Sequence, residues 1–293
     1  MTVAESYFQQ AIKADPNFAL GYAGLADCYQ VMVNIEQLKA KDGFLMARAA
    51  AIKALELDKT LAEPHTSLAS IKGDVDWDWA GAETEYKQAL ALNPNYATAH
   101  HWYGDFLAGL GRFDESAEEI RKAQELDPLS SVLGVTLAQL YCTTGHCEQA
   151  IEQLKKTLEI DPDFAEAHDA LAQIYAHLGR YQQALTEMRK DLQPAAGHSA
   201  LLVGYASAKA DHKEEALRVL RQFREQRDIQ HRDYYLAIMY AALGDKDQAF
   251  ASLERARQSH DPFMPYFRAD ITLTSLRSDP RYAEVYRRMN MPR

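Results

Sequence analysis

The sequence predicts an all-α solenoid assembled from antiparallel helix pairs. Three observations lead to that expectation. Pro94, Pro128 and Pro162 stand 34 residues apart. Ala82, Ser116, Ala150 and Ala184 keep the same spacing, as do Gly111, Gly145 and Gly179. Three residue types marking one period are the signature of a repeat architecture, and a period of this length suits a helix–turn–helix unit.

The stretch from Ala165 to Asp191 shows how one unit is read. Leu171, Ile174, Tyr175 and Leu178 recur at i, i+3, i+4 and i+7, one face of a helix. Gly179 ends that helix because glycine tolerates the left-handed backbone of a helix C-terminus. Ala184, Leu185 and Met188 begin the next apolar stripe. Asp161–Pro162 separates one pair from the next, since a residue before proline avoids helical backbone. Ala26, Ala69, Gly104, Ala138, Ala172, Gly204 and Ala237 take one place on successive first helices. Ala4, Ala47, Ala82, Ala150, Ala184, Ala216 and Ala249 take the matching place on second helices. Small side chains there let two helices approach closely. Each pair keeps one apolar face and must stack on a neighbour.

Taken in order, residues 1–18 form a half repeat, a second helix alone, with Ala4, Phe8, Ala11 and Pro16 in its pattern places. A lone half unit implies a piece cut from the C-terminal part of a longer protein. The next unit, 19–61, has nine residues more than the period between Tyr29 and Ala47. The surplus either extends the helices or makes a loop. Units follow at 62–96, 97–130, 131–164 and 165–196. A weak junction or slight bend is expected at 191–198, where Asp191 replaces a small apolar residue. Two looser units cover 197–229 and 230–262. Residues 263–293 abandon the period and read as a C-terminal cap. Leu273, Leu276, Tyr282, Val285 and Tyr286 would close the last apolar face, with Arg281, Arg287 and Arg288 outside.

Composition narrows the function. With 293 residues and 47% hydrophobic content the chain builds a substantial core. A formal net charge of −10 opposes direct nucleic-acid binding and suits neutral or cationic partners. Arg218, Arg221, Arg224 and Arg227 alternate with Glu214, Glu215, Glu225 and Asp228, a solvated salt-bridged face. No apolar run reaches the roughly 18–20 residues of a membrane span. Cys28, Cys142 and Cys147 are too few for a disulfide framework, so a reducing, cytoplasmic setting is expected, or an extracytoplasmic one where a membrane span precedes the repeats in the full protein. Cys142 and Cys147 read as small semi-buried filler rather than metal ligands. Trp77 and Trp79 read as covers for helix ends. No phosphate loop, H-E-x-x-H or nucleophile elbow is present. No cofactor and no catalytic residues are expected.

These residues resemble the tetratricopeptide repeat family over nearly the whole chain. Tyr22, Leu25, Ala26 and Tyr29 match the family's first helix, and Ala82, Tyr86, Ala89 and Pro94 its second. The resemblance implies a right-handed superhelical solenoid, a protein-interaction role and no catalysis. A narrower likeness, in the segment beginning DWDWAGAETEYKQAL and the late SLRSDPRYAEVYRRMNMP, is to the C-terminal repeats of bacterial multidomain signalling proteins. In those the effector is a winged-helix DNA-binding domain, a serine/threonine kinase or a nucleotide cyclase.

The family pattern also sorts the histidines. His100 shares the fourth place of its repeat with Tyr22, His65 and His168, which marks it as a packing position. His101 takes the fifth place and Asp105 the ninth, which the resemblance implies line a concave groove. The same reasoning adds Asp27 and Gln30, then Gln139 and Cys142, then Asp169, Gln173 and His177. Tyr205, Lys209, Tyr234 and Ile238 complete the set. Such a groove suits a peptide or partner domain with Lys, Arg or amide groups, Tyr205 and Tyr234 serving as anchors. The family's carboxylate clamp for chaperone tails is missing, because its places hold Ala23, Asp27, Ser67, Thr98 and Trp102. Two other roles compete with groove binding. The open half-repeat edge would pair two copies into a homodimer, or His101 and Asp105 would sense a small molecule or metal.

Overall fold

The computed structural model describes residues 3–35, 37–188, 198–226 and 229–292, and none of them lies in a strand. The chain divides into two compact units, residues 1–106 and 107–293. The first contains α1 (Val3–Ala14), α2 (Ala19–Asn34), α3 (Ala40–Leu57), α4 (Glu63–Ile71), a π-helical turn (Lys72–Asp76) and α5 (Trp79–Leu92). The boundary falls within α6 (Ala97–Gly109).

In the first unit the core joins Leu25, Tyr29, Met32, Val33, Phe44, Leu68 and Ile71, with Phe8 and Ile12 of α1 packed against them. Ala26, Ala47, Ala69 and Ala82 are wholly buried. The Phe8 ring covers Gly24, where a Cβ would collide with it. The surplus residues of this unit extend the helices. Helices α2 and α3 run for 16 and 18 residues, against 13 and 14 in α8 and α9. A smaller irregularity follows. Ala69 and Ala82 are 13 positions apart, where Ala138 and Ala150 are 12 apart. The π-helical turn holds that extra residue, since a π turn takes one more residue than an α turn.

The second unit contains α7 (Phe113–Leu126), α8 (Ser131–Thr143), α9 (Cys147–Ile160), α10 (Ala165–His177) and α11 (Tyr181–Met188). Next come α12 (His198–Lys209), α13 (Lys213–Glu225), α14 (Arg232–Ala242) and α15 (Lys246–Gln258). Two 3-10 turns, Met264–Tyr266 and Ile271–Leu276, and α16 (Pro280–Arg288) end the chain. The junction expected at 191–198 lies, up to His198, outside the described residues, as do Arg227 and Asp228.

Every first helix of this unit ends the same way. Gly145 has φ 91°, Gly179 76° and Gly244 84°. The amide after each glycine reaches back over the turn: His146 to Tyr141 at 2.8 Å, Arg180 to Tyr175 at 2.7 Å and Asp245 to Tyr240 at 2.9 Å. Such bonds satisfy helix-end carbonyls that have no partner within the helix. Asp211 takes this place after α12 with φ 61°, and Trp77 takes it in the first unit with φ 55°. The glycine period fades in those two units although the backbone device persists.

The same reversal overturns one expectation. Cys142 sits in the last turn of α8 and Cys147 opens α9, and the two form a disulfide. Counting cysteines tests for a framework of distant crosslinks, whereas this bond closes one local turn. Cys28 remains a free thiol.

Two measurements test this account. No atom would lie within 4 Å of a Cβ at Gly145. Gly145→Ala therefore isolates the backbone cost, and should lower unfolding free energy in urea by about 1 kcal/mol. Asp211→Gly should raise it by about 0.5 kcal/mol, because glycine enters the left-handed region without penalty. Alkylation of the denatured chain followed by mass measurement should add one label without reductant and three with it.

Candidate functional site

The adjacent histidines of α6 do different things. His100 is buried and its Nε2 donates to the Pro94 carbonyl at 2.9 Å. His168 repeats this two periods later, with Nε2 3.1 Å from the Pro162 carbonyl and Nδ1 2.7 Å from Glu187. In these two repeats the fourth place thus ties the first helix to the proline turn before it. His101 points elsewhere. Its Nε2 is 3.4 Å from Asp105 Oδ2, one turn on, with Asp105 37% exposed. Surrounding protein raises the Asp105 pKa and His101 pulls it down. Among the described residues no group of three His, Cys, Asp or Glu side chains is placed to hold a metal ion.

Asp27, from α2, anchors a second polar set in the first unit. Ser67 Oγ donates to one of its oxygens, and Tyr96 Oη to the other at 3.3 Å. Burial lifts the Asp27 pKa to about 6, and Glu63 adds to the rise against those two hydrogen bonds. Gln30 lies one turn further along α2, 2% exposed, and neither atom of its amide has a hydrogen-bond partner. A buried amide without partners is costly. Asp74 and Asp105 both push the buried Tyr86 phenol up. Carboxyls thus raise the titrating groups around them at two places in this unit, Glu63 at Asp27 and Asp74 with Asp105 at Tyr86.

In the second unit the expected groove residues separate. Gln139 and Lys209 are exposed, and Asp169, Gln173 and His177 are partly so. Cys142, Tyr205, Tyr234 and Ile238 are buried. Tyr205 and Tyr234 are 2% and 3% exposed and are not open to a partner. Tyr234 Oη donates to Asp270 at 2.9 Å. Burial first, then Asp270, raises the Tyr205 phenol. Burial, Lys209 and Arg277 lower the pKa of His177, against a hydrogen bond with the Ile271 backbone. The reason is one of position. Residues 263–277 return over these helices instead of ending beyond them. Sequence reasoning missed Arg268, Ala269 and Asp270 here. The one available signal was the Asp270–x–Thr272 turn, where Thr272 N donates to Asp270 at 2.8 Å.

Comparison with known proteins follows the same lines. Models described as tetratricopeptide repeat match residues 78–131 and 233–261, and one described as TPR repeat matches 138–179. The chain carries tetratricopeptide repeats. It is 28% identical over 137 residues to the transcriptional regulator HilA of Salmonella typhimurium and of Salmonella typhi. That match covers 47% of the chain but 24% of the regulator, so the repeat chain corresponds to about a quarter of its relative's length. Among solved structures, PilW, titled a widely conserved type IV pilus biogenesis factor, aligns with a TM-score of 0.53 at 21% identity. The alignment covers 71% of this chain and 96% of PilW. The human IFIT1 dimer with PPP-AAAA aligns at 0.57 and 18% identity, over 87% of this chain and 67% of that one. Identities this low show a shared fold alone. No described helix is long and apolar enough to cross a membrane.

The raised carboxyl of Asp27 makes a signed prediction. Its folded pKa of about 6 lies above the unfolded value of about 4. Its contribution to stability is therefore full below about pH 4 and is lost as pH rises through about 6. Asn keeps one acceptor oxygen, turns its amide NH2 as a donor to the other of the two hydroxyls, and carries no charge. Asp27→Asn should match the parent near pH 4 in urea unfolding and exceed it at pH 7.5 by about 1–3 kcal/mol, allowing for solvent screening.

Proposed function

We propose that this chain is a non-catalytic interaction module of a bacterial signalling or transcription-regulatory protein. Its partner is a peptide or protein segment rich in Lys, Arg or amide groups. The surface it meets is the polar inner side of residues 1–106, with Asp27, His101 and Asp105 as contacts, while Gln30 is as buried as Tyr205 and closed to a partner. The observation behind this reading is Asp27. A half-buried carboxyl held above its ordinary range is a group that an approaching cation would stabilise in its charged form. Stacked helix pairs use such inner faces for binding. The regulatory setting is supported by the likeness to HilA.

A second reading is self-association through α1, favoured by the exposure of Val3 and Tyr7, 73% and 67%. Phe8 is unsuited to test it, because it packs into the core of the first unit. Tyr7→Asp should abolish a dimer if α1 makes one, read by light scattering.

Binding is tested by selecting displayed peptides on the whole chain and measuring the winners against Asp105→Lys, with helix content checked by circular dichroism. The expected winners carry Lys or Arg and lose at least about tenfold in affinity, roughly 1.4 kcal/mol. Gln139→Lys, in the other unit, should leave them unchanged. Winners that bind the Asp105→Lys chain at full strength would defeat the proposal.

A further inference from the structure

Residues 261–277 do more than end the last repeat. The chain leaves α15 at Asp261, which accepts from His231 Nδ1 at 2.8 Å, and Phe263 stacks on the His231 ring with centroids 3.9 Å apart. It then crosses the ends of the first helices of the second unit. Arg268 Nη1 donates to the Leu110 carbonyl at 2.6 Å. Thr143 Oγ1 donates to the Ala269 carbonyl at 2.7 Å. His177 is hydrogen-bonded to the Ile271 backbone, and Tyr234 to Asp270.

The spacing of these contacts is informative. Leu110, Thr143 and His177 lie 33 and 34 positions apart, one repeat each, at equivalent ends of α6, α8 and α10. Three residues of one short stretch, Arg268, Ala269 and Ile271, therefore meet equivalent places on successive repeats, while Asp270 between them meets Tyr234 near the start of α14. A ligand lying in a repeat groove is read in this way, through backbone carbonyls and a few side chains. Room for the approach comes from Gly109, where a Cβ would stand 2.9 Å from the Pro265 carbonyl oxygen. A cation at a helix C-terminus, as Arg268 is at α6, is favourably placed. The Arg268 guanidinium also lies 4.6 Å from the Tyr286 ring centroid. Phe267, Leu273 and Leu276 are fully buried and hold the crossing segment at its base.

We infer that residues 263–277 are a resident ligand, filling in cis a peptide groove on the inner face of the second unit. The inference rests on the reading of such inner faces as binding surfaces. It closes the second unit to partners and confines an open site to the first. A partner enters the second unit only by offering what the segment offers: buried apolar side chains, an Arg for the end of α6 and a carboxylate for Tyr234.

The test uses the whole chain and a labelled synthetic peptide of residues 262–278. Leu273→Asp with Leu276→Asp ejects the resident segment by burying charge beneath it. The ejected variant, with helix content intact, should bind the peptide at least about tenfold more tightly than the parent. Equal binding by both chains would overturn the inference, as would a folded variant that does not bind. Should the variant not fold, amide exchange of the parent decides. Amides of Phe267, Ala269 and Leu273 exchanging in step with α12 support a resident ligand. Exchange about 100-fold faster than α12 overturns it. Because the probe is the chain's own segment, this comparison holds whether or not selected peptides bind the first unit.

Discussion

In four helix pairs the two helices meet where neither carries more than a methyl group, and the rest of the architecture depends on that closeness. Ala26 and Ala47, Ala69 and Ala82, Ala138 and Ala150, and Ala172 and Ala184 are all wholly buried. Their small size brings backbones near enough for the larger residues on either side to interlock. Gly204 shows how tight this is: a Cβ there would meet Met239 and Val219 at 2.7 Å. A larger residue at any of these places would force the pair apart and lose the packing on both sides.

Such closeness requires a short, sharp connection, which the left-handed reversal supplies. It reverses the chain within four residues, satisfies carbonyls at the helix end, and at Cys142 and Cys147 admits a disulfide across the corner. The proline turns between pairs are held by side chains instead. His100 and His168 each reach back to a proline carbonyl, so a residue type associated with chemistry does structural work here. In the first unit burial leaves two further groups at a cost: the Asp27 carboxyl is held above its ordinary range, and the Gln30 amide has no hydrogen-bond partner.

The two units treat their polar residues differently. In the first, Asp27 is answered by the hydroxyls of Ser67 and Tyr96 and Asp105 by His101. In the second, the crossing segment brings Arg268, Asp270 and Arg277 onto the helices, and Tyr205 and Tyr234 are spent on it. Stacks of helix pairs expose an apolar face at their ends. The C-terminal segment packs on the second unit at two places here, since α16 brings Tyr282 and Tyr286 onto Phe267 while the 3-10 turn of Ile271–Leu276 lies on α10 and α14.

The repeat period, the helix pairs and the left-handed turns were legible because each depends on residues close in sequence. Periodicity, glycine and proline report local backbone needs directly. The fourth-place histidines were legible as structural for the same reason, since their partners lie six residues away. What only the tertiary structure decided is where residues 261–277 lie. Arg268 and Leu110 are 158 positions apart, and Thr143 and Ala269 are 126 apart. The segment making these contacts has no period to betray its place, because it is positioned by the surface it meets rather than by its own local preferences.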